Sequence, residues 1–253
     1  MRVSDICAAI EQFAPLEIQE NWDNSGLLVG SPSDEVHGVL VGFDCTPALV
    51  DEAISRGVDM IITHHPLIFR GLKRISADDA VGEAIIKAIR AGIAIYAAHT
   101  TADKVLAGVS GAMARRLGLR DIEVLDEGGL GAIGNLPEPL PFIDAIDLLK
   151  RSFECKVVRA SADPGVDISR IALCGGSGAD FIDTAREKGA QLYVSADISY
   201  HHFFTPRGFA VADIGHFESE VEIVDILLSV VRKNFPTFAA YACAHKENPV
   251  KYY

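Results

Sequence analysis

Short apolar runs alternate with helical stripes through the first half of this chain. Val36 to Phe43, Met60 to Ile62 and Ile93 to His99 each read as a short buried strand. Helices are predicted between them. Thr46 stands as N-cap and Pro47 at the first helical position of a helix that Gly57 ends. Ala80 to Ala91 sets Val81, Ala84, Ile85, Ala88 and Ile89 on one face, with Gly92 placed for a left-handed cap. Another helix is expected near Ser110 to Leu117. Ahead of all these, Ser4 is read as the cap of a first helix with Val3, Ile6, Ile10 and Phe13 near one face, ended by Pro15. Residues 36 to 118 thus read β-α-β-α-β-α, which implies parallel strands with right-handed crossovers.

The texture changes after that. Gly128 to Gly131 and Pro137-Glu138-Pro139-Leu140-Pro141 are rich in breakers, and a domain transition is expected near 126. A helix over 142–153 and strands over 155–160 and 169–174 follow. Cys174-Gly175-Gly176-Ser177-Gly178 then reads either as a tight turn or as an anion cradle of backbone amides. Gln191 to Ser195 and Phe209 to Ile214 are strands. His216 opens a last helix with Val221, Val224, Leu228 and Val231 as its stripe, and Phe238 to Ala244 is a final strand.

Polar residues capable of chemistry gather where these strands stop. Met60 to Thr63 runs into His64-His65-Pro66, and proline forces the chain out of the sheet. Past the strand end both imidazoles can turn toward one point. Ile93 to Ala98 runs into His99-Thr100-Thr101-Ala102-Asp103, and Phe209 to Ile214 into Gly215-His216-Phe217-Glu218-Ser219-Glu220. In open α/β sheets, the carboxyl ends of strands are where ligands bind. His216 and Glu220 are four apart, on one helix face. Asp44 follows another strand, either as an acceptor that orients a ligand histidine or as a plain strand terminator. Asp197 and His201 follow the strand ending at Ser195. Trp22, the only tryptophan, sits among Asn21, Asp23, Asn24 and Gly26. It reads either as a turn pinned by a buried indole or as a ring lining a site.

Three imidazoles (His64, His65, His216) and two carboxylates (Asp103, Glu220) exceed what one tetrahedral ion with a bound water needs. Two ions roughly 3.5–4 Å apart, sharing a carboxylate, use the set economically. The donors are nitrogen and oxygen, so Zn, Mn, Fe, Co or Ni are candidates.

The net charge of −12 argues against extended nucleic-acid binding, which needs clustered cations. The five cysteines form no CxxC pair, which fits a reducing, cytoplasmic setting. No apolar run is long enough to span a membrane.

Trp-Asp-Asn-Ser-Gly-Leu, Thr-His-His-Pro-Leu-Ile-Phe, His-Thr-Thr-Ala-Asp-Lys, Asp-Ile-Ser-Tyr-His and Gly-His-Phe-Glu-Ser-Glu occur in this order. Together they resemble the NIF-three-like family of dinuclear-metal proteins, the GTP cyclohydrolase I type 2 homologues, over about residues 4 to 250. The family usually has Asn-Leu-Asp where this chain has Thr-Ala-Asp. The resemblance implies two interlinked α/β domains with mostly parallel sheets. These are assigned to residues 1–125 plus 214–253, carrying the metals, and to 126–213. It implies a toroidal homohexamer and two divalent ions per subunit on His64, His65, Asp103, His216 and Glu220. It also implies a Tyr200-His201 pair facing the metal region. The expected function is metal-dependent hydrolysis of a small molecule, a purine nucleotide or a phosphoester, with His201 as the catalytic acid or base. The alternative is a non-catalytic metal-binding ring serving storage, delivery or regulation with a protein partner.

Overall fold

The computed structural model describes residues 1–244 and 246–253. The chain packs as two compact units, Met1–Ala102 with Ile223–Glu247, and Asp103–Glu222 with Asn248–Tyr253. The strands in chain order are β1 (Gly26–Val29), β2 (Gly38–Gly42), β3 (Met60–Thr63), β4 (Ala94–Ala97), β5 (Arg120–Val124), β6 (Ala132–Leu140), β7 (Arg159–Ala160), β8 (Ile168–Ser177), β9 (Leu192–Ala196), β10 (Ala210–Asp213) and β11 (Ala239–Ala242).

The first unit is built on a sheet of order β1-β4-β3-β2-β11. β11, β2, β3 and β4 are parallel, and β1 adds antiparallel to β4. Parallel strands buried on both faces are apolar throughout, which is why β2 and β3 read as continuous runs. Leu40, Ile61 and Ile95 share one core with Val50 and Ala53 of helix Pro47–Arg56 and Ala84 and Ala88 of helix Ala80–Ala91. On the other face Tyr96 reaches Glu11 of helix Val3–Phe13 with its hydroxyl, at 3.4 Å. The register aligns Gly42 with Thr63 and Thr63 with Ala97, so β2, β3 and β4 stop level. Their carboxyl ends therefore deliver Asp44, His64, His65 and His99 to one edge.

Local chemistry explains the helix boundaries. Thr46 Oγ1 accepts from the Leu49 amide at 3.2 Å, and Gly57 and Gly92 close their helices at φ 65° and 68°. The first helix differs from expectation. Arg2, not Ser4, is its N-cap, and the Arg2 amide donates to the Asp5 carboxylate at 2.8 Å. Val3 is fully buried, so the apolar face begins one residue before Ser4 and draws the helix start with it.

The second unit holds a sheet of order β5-β6-β8-β9-β10-β7. Its β8, β9 and β10 are parallel, while β5–β6, β6–β8 and β7–β10 are antiparallel. Its core joins Leu125, Ile133, Ala172, Tyr193 and Val211. The glycine-rich stretch at 128–131 is the turn of the β5–β6 hairpin, closed by the Asp126 amide donating to the Leu130 carbonyl at 3.0 Å. The units divide at Ala102 and Asp103, upstream of the transition expected near 126. Helix Val109–Arg116 packs on β6 and β8, and β5 pairs with β6, so residues 109–124 belong to the second sheet. The last helix is two pieces, His216–Glu220 and Ile223–Asn234, and the chain passes between units where they part. Among the described residues, no helix is long and apolar enough to cross a membrane.

Candidate metal centre

The first unit supplies a cluster of imidazoles. After Thr63 the His64 and His65 amides both donate to the Phe43 carbonyl, at 3.2 and 3.3 Å. Thr63 Oγ1 donates to the His65 carbonyl at 2.9 Å. This turn takes the two residues out of strand alternation, and their rings lie 4.8 Å apart. His64 is fully buried, with Nδ1 2.9 Å from the Ala98 carbonyl oxygen. A carbonyl only accepts, so Nδ1 carries a proton and Nε2 is the ring nitrogen left to coordinate an ion. His65 Nδ1 is 2.8 Å from Asp44 Oδ1, which gives Asp44 its orienting role.

His99 is a third ring in this group, 5.4 Å from both His64 and His65. Its Nδ1 is 2.7 Å from Asp23 Oδ1. Burial pushes the Asp23 carboxyl upward. Hydrogen bonds from His99, Thr100 and Ser25, together with the His99 charge, outweigh that and hold it well below the usual carboxylate range. Each polar residue of the Trp-Asp-Asn-Ser motif thus has a task. Asp23 orients His99, and the Ser25 hydroxyl donates to Asp23 at 2.8 Å while accepting from the His99 amide at 3.2 Å. Asn24 Nδ2 donates to the Ile68 carbonyl at 2.5 Å. The indole of Trp22 is not the buried pin of a turn; it is 59% exposed.

The second unit supplies a histidine and carboxylates. His216 Nδ1 is 2.7 Å from Asp197 Oδ2, and its Nε2 is 2.9 Å from Glu220 Oε2. The helical spacing therefore sets nitrogen and oxygen donors side by side. Asp197 holds φ at 53°, a left-handed conformation that Asp tolerates better than most residues. Asp213, buried at the end of β10, accepts from the Ile198 and Gly215 amides, both at 3.0 Å. It thereby clamps the two loops that carry Asp197 and His216. Glu220 is buried. Asp103 ends helix Thr100–Asp103. Burial raises the Cys174 thiol pKa well above its ordinary value, and the charges of Asp103 and Glu220 raise it further, so both carboxylates act on the same spot. His201 is exposed in the turn Tyr200–Phe203, with ring contacts to Tyr200 and Phe204 at 5.4 and 6.5 Å.

The glycine-rich stretch after Cys174 is not a turn: Gly175 and Gly176 lie within β8, where the pairing with β9 is irregular between Leu173 and Ser177, and they serve Glu220 rather than an anion. A Cβ on Gly176 would lie 2.3 Å from Glu220 Oε1, and one on Gly175 would lie 3.2 Å from Glu220 Cγ. The amides of Gly175, Gly176 and Gly178 already donate to the hydroxyls of Ser110, Ser219 and Ser195, at 3.2, 3.0 and 3.0 Å. Sequence reasoning missed His99, Asp23 as its anchor, and Asp213. His99 stands at a strand end like the other histidines and was legible by that signal. The Asp23 contact spans 76 residues and was not.

The Duf34/NIF3 (NGG1p interacting factor 3) family model matches residues 1–249. A GTP cyclohydrolase 1 type 2 homolog of Lactococcus lactis is 36% identical over 255 residues, 98% of either chain. One of Clostridium acetobutylicum is 35% identical over 229 residues, covering 87% of this chain and 85% of its own. Among solved structures, a Staphylococcus aureus hypothetical protein superposes with TM-score 0.92 at 27% identity, covering 100% of this chain and 99% of that one. A Bacillus cereus protein related to NIF3 has TM-score 0.90 at 24% identity, with the same coverage, and speaks for the fold alone. Motifs, fold and relatives agree, and the chain belongs to the Duf34/NIF3 family.

Proposed function

We propose that this protein is a metal-dependent hydrolase in which His64, His65, Asp103, His216 and Glu220 hold two divalent ions, Zn, Mn, Fe, Co or Ni. One observation carries the reading. His64, His65 and His216 each have Nδ1 fixed by a carbonyl or carboxylate, the arrangement that turns Nε2 into a metal donor. A His64, His65 and Glu220 group could hold an ion, and its nitrogen and oxygen donors suit borderline divalent metals.

Ions bound there would supply Lewis acidity and activate water as a nucleophile near neutral pH. The chain's own residues do the rest. Asp44 and Asp197 hold the His65 and His216 rings in place, and Ala98 does so for His64. His201 moves the proton to or from the reacting group, a role its exposed ring permits. The GTP cyclohydrolase 1 type 2 names of the relatives make a purine nucleotide the first substrate to try, with phosphoesters next. We further propose a homohexamer acting in the cytoplasm; the five cysteines are free thiols, consistent with a reducing compartment.

The deciding experiment loads the protein with Mn, Zn or Fe and follows formate and phosphate release from GTP and simple phosphoesters. Two ions per chain by elemental analysis and measurable turnover are expected. One ion per chain at saturation refutes the dinuclear assignment. Two ions without turnover of any of these substrates refutes the hydrolase assignment and favours a non-catalytic metal-binding ring. His201→Ala should keep both ions and cut turnover roughly 10²–10⁴-fold. Loss of an ion in that variant would make His201 a ligand instead.

A further inference from the structure

We infer that Trp22 and Phe69 form a preorganised platform for the planar heteroaromatic ring of an anionic ligand, beside the imidazole cluster of the first unit. Trp22, Phe69 and His99 meet edge to face in all three pairings. Their ring centroids are 6.0, 6.1 and 6.0 Å apart at interplanar angles of 65°, 74° and 83°. Rings so arranged make an open corner rather than a closed stack. Trp22 is 59% and Phe69 40% exposed, so the corner's walls face solvent.

A lone exposed aromatic needs no explanation. Here two are carried on segments tied together by polar contacts. Asn24 ties the Trp22 loop to the Ile68 carbonyl next to Phe69, and Asp23 and Ser25 tie it to His99. The ordering entropy of the corner is therefore met before a ligand arrives, which is what converts ring contact into affinity. A base stacked on such a side chain gains about tenfold or more in affinity.

The charge that follows Phe69 along the chain selects the ligand. Phe69 opens an exposed loop that continues through Arg70, Lys73 and Arg74. These three cations have no carboxylate partner among the described residues, in a chain of net charge −12. A ring recognised by stacking, with anionic groups recognised by cations, is the chemistry of a nucleotide. His99 makes the third wall and also sits 5.4 Å from His64 and His65, so a ring in the corner lies next to the imidazoles. The inference deepens the hydrolase reading and rests on it for what becomes of the ligand, but not for binding.

Trp22 is the only tryptophan, so its fluorescence reports on this corner alone. The full chain is titrated with guanosine, GTP and inorganic triphosphate, in chelator and then with Mn. Saturable quenching by guanosine and GTP, with none by triphosphate, is the expected result. Phe69→Ala should weaken guanosine binding about tenfold. The triple variant Arg70→Gln, Lys73→Gln, Arg74→Gln should bring GTP down to the affinity of guanosine. No saturable quenching by either ligand at millimolar concentration overturns the inference. So does equal binding of triphosphate and GTP, which would leave an anion site only. A blue-shifted emission that grows with protein concentration and is reversed in Phe69→Ala also overturns it, because a second copy would then cover the corner. Quenching without turnover sinks the hydrolase reading alone, and turnover without quenching sinks the platform alone.

Discussion

Asp23 is a buried carboxylate that accepts from a ring nitrogen, two backbone amides and two hydroxyls, among them the His99 imidazole and the Thr100 amide and hydroxyl. Because its carboxyl sits well below the usual range in the fold, it contributes stability that is fully present above its unfolded pKa, near 4. That contribution is lost as pH falls through the lower folded value. Asp23→Ala is expected to cost about 1–3 kcal/mol or more near neutrality, because the donors around it lose a buried charged acceptor. Urea unfolding at pH 7 and at pH 3 checks this, since the gap between wild type and variant should narrow at the lower pH. A gap that stays constant would mean that the loss is packing, not charge. Asp197→Ala is the corresponding test for His216. It should weaken metal binding about 10–100-fold, as removal of a histidine's orienting carboxylate commonly does, read by isothermal titration with Zn or Mn. Unchanged affinity would remove Asp197 from the site. The pairing of His65 with Asp44 was open to a local reading, because both follow strands that end level. The pairing of His99 with Asp23 was not, because nothing in a sequence window reports which loop lies across a sheet edge.

Elements with strong end signals were legible to within a residue. Thr46-Pro47 and Gly57 bound one helix, and Phe142–Phe153 is where the stripe of Ala145, Ile146, Leu149 and Phe153 puts it. The β5–β6 hairpin was not legible, because Pro137 and Pro139 argue against a strand. Both lie beyond Asn135, the last residue of β6 paired with β5, and within the gap between Asn135 and Leu140 where pairing with β8 lapses. Proline is tolerated there because no ladder hydrogen bond is required of it. The strand expected over 155–160 shrinks to Arg159–Ala160, which pair with Asp213 and Ala212 of β10. Gly176 offers an element-scale test. With φ at 62° and Glu220 Oε1 within 2.3 Å of a Cβ, Gly176→Ala should cost about 1–3 kcal/mol and weaken metal binding as Glu220 is displaced. Circular dichroism melts and metal titration read the two effects, and a variant that binds metal normally would show that Glu220 has room to shift.

For the molecule as a whole, metal occupancy should appear as stability. Ions held at a hundredfold excess over Kd stabilise the folded state by about 2.7 kcal/mol per site. Chelation should therefore lower the Tm, and an unchanged melt after complete metal removal would argue against sites built into the fold. Light scattering with excess chelator and with added metal tests the proposed hexamer, which a monomer mass under both conditions would rule out. The fold class was legible because β-α alternation is a local pattern. The division into units was not, because residues 109–124 join the second sheet through contacts with strands further along the chain.

The order of segments within the first unit has a consequence for synthesis. β2 is paired on one side by β3, close behind it, and on the other by β11, almost two hundred residues later. Asp103–Glu222, nearly all of the second unit, must leave the ribosome before β11 can. Until then the growing chain carries β2 with one row of amides and carbonyls unmatched, an edge open to any other extended chain. Truncated products ending between 103 and 238 should therefore aggregate or recruit chaperones, while the full chain should not.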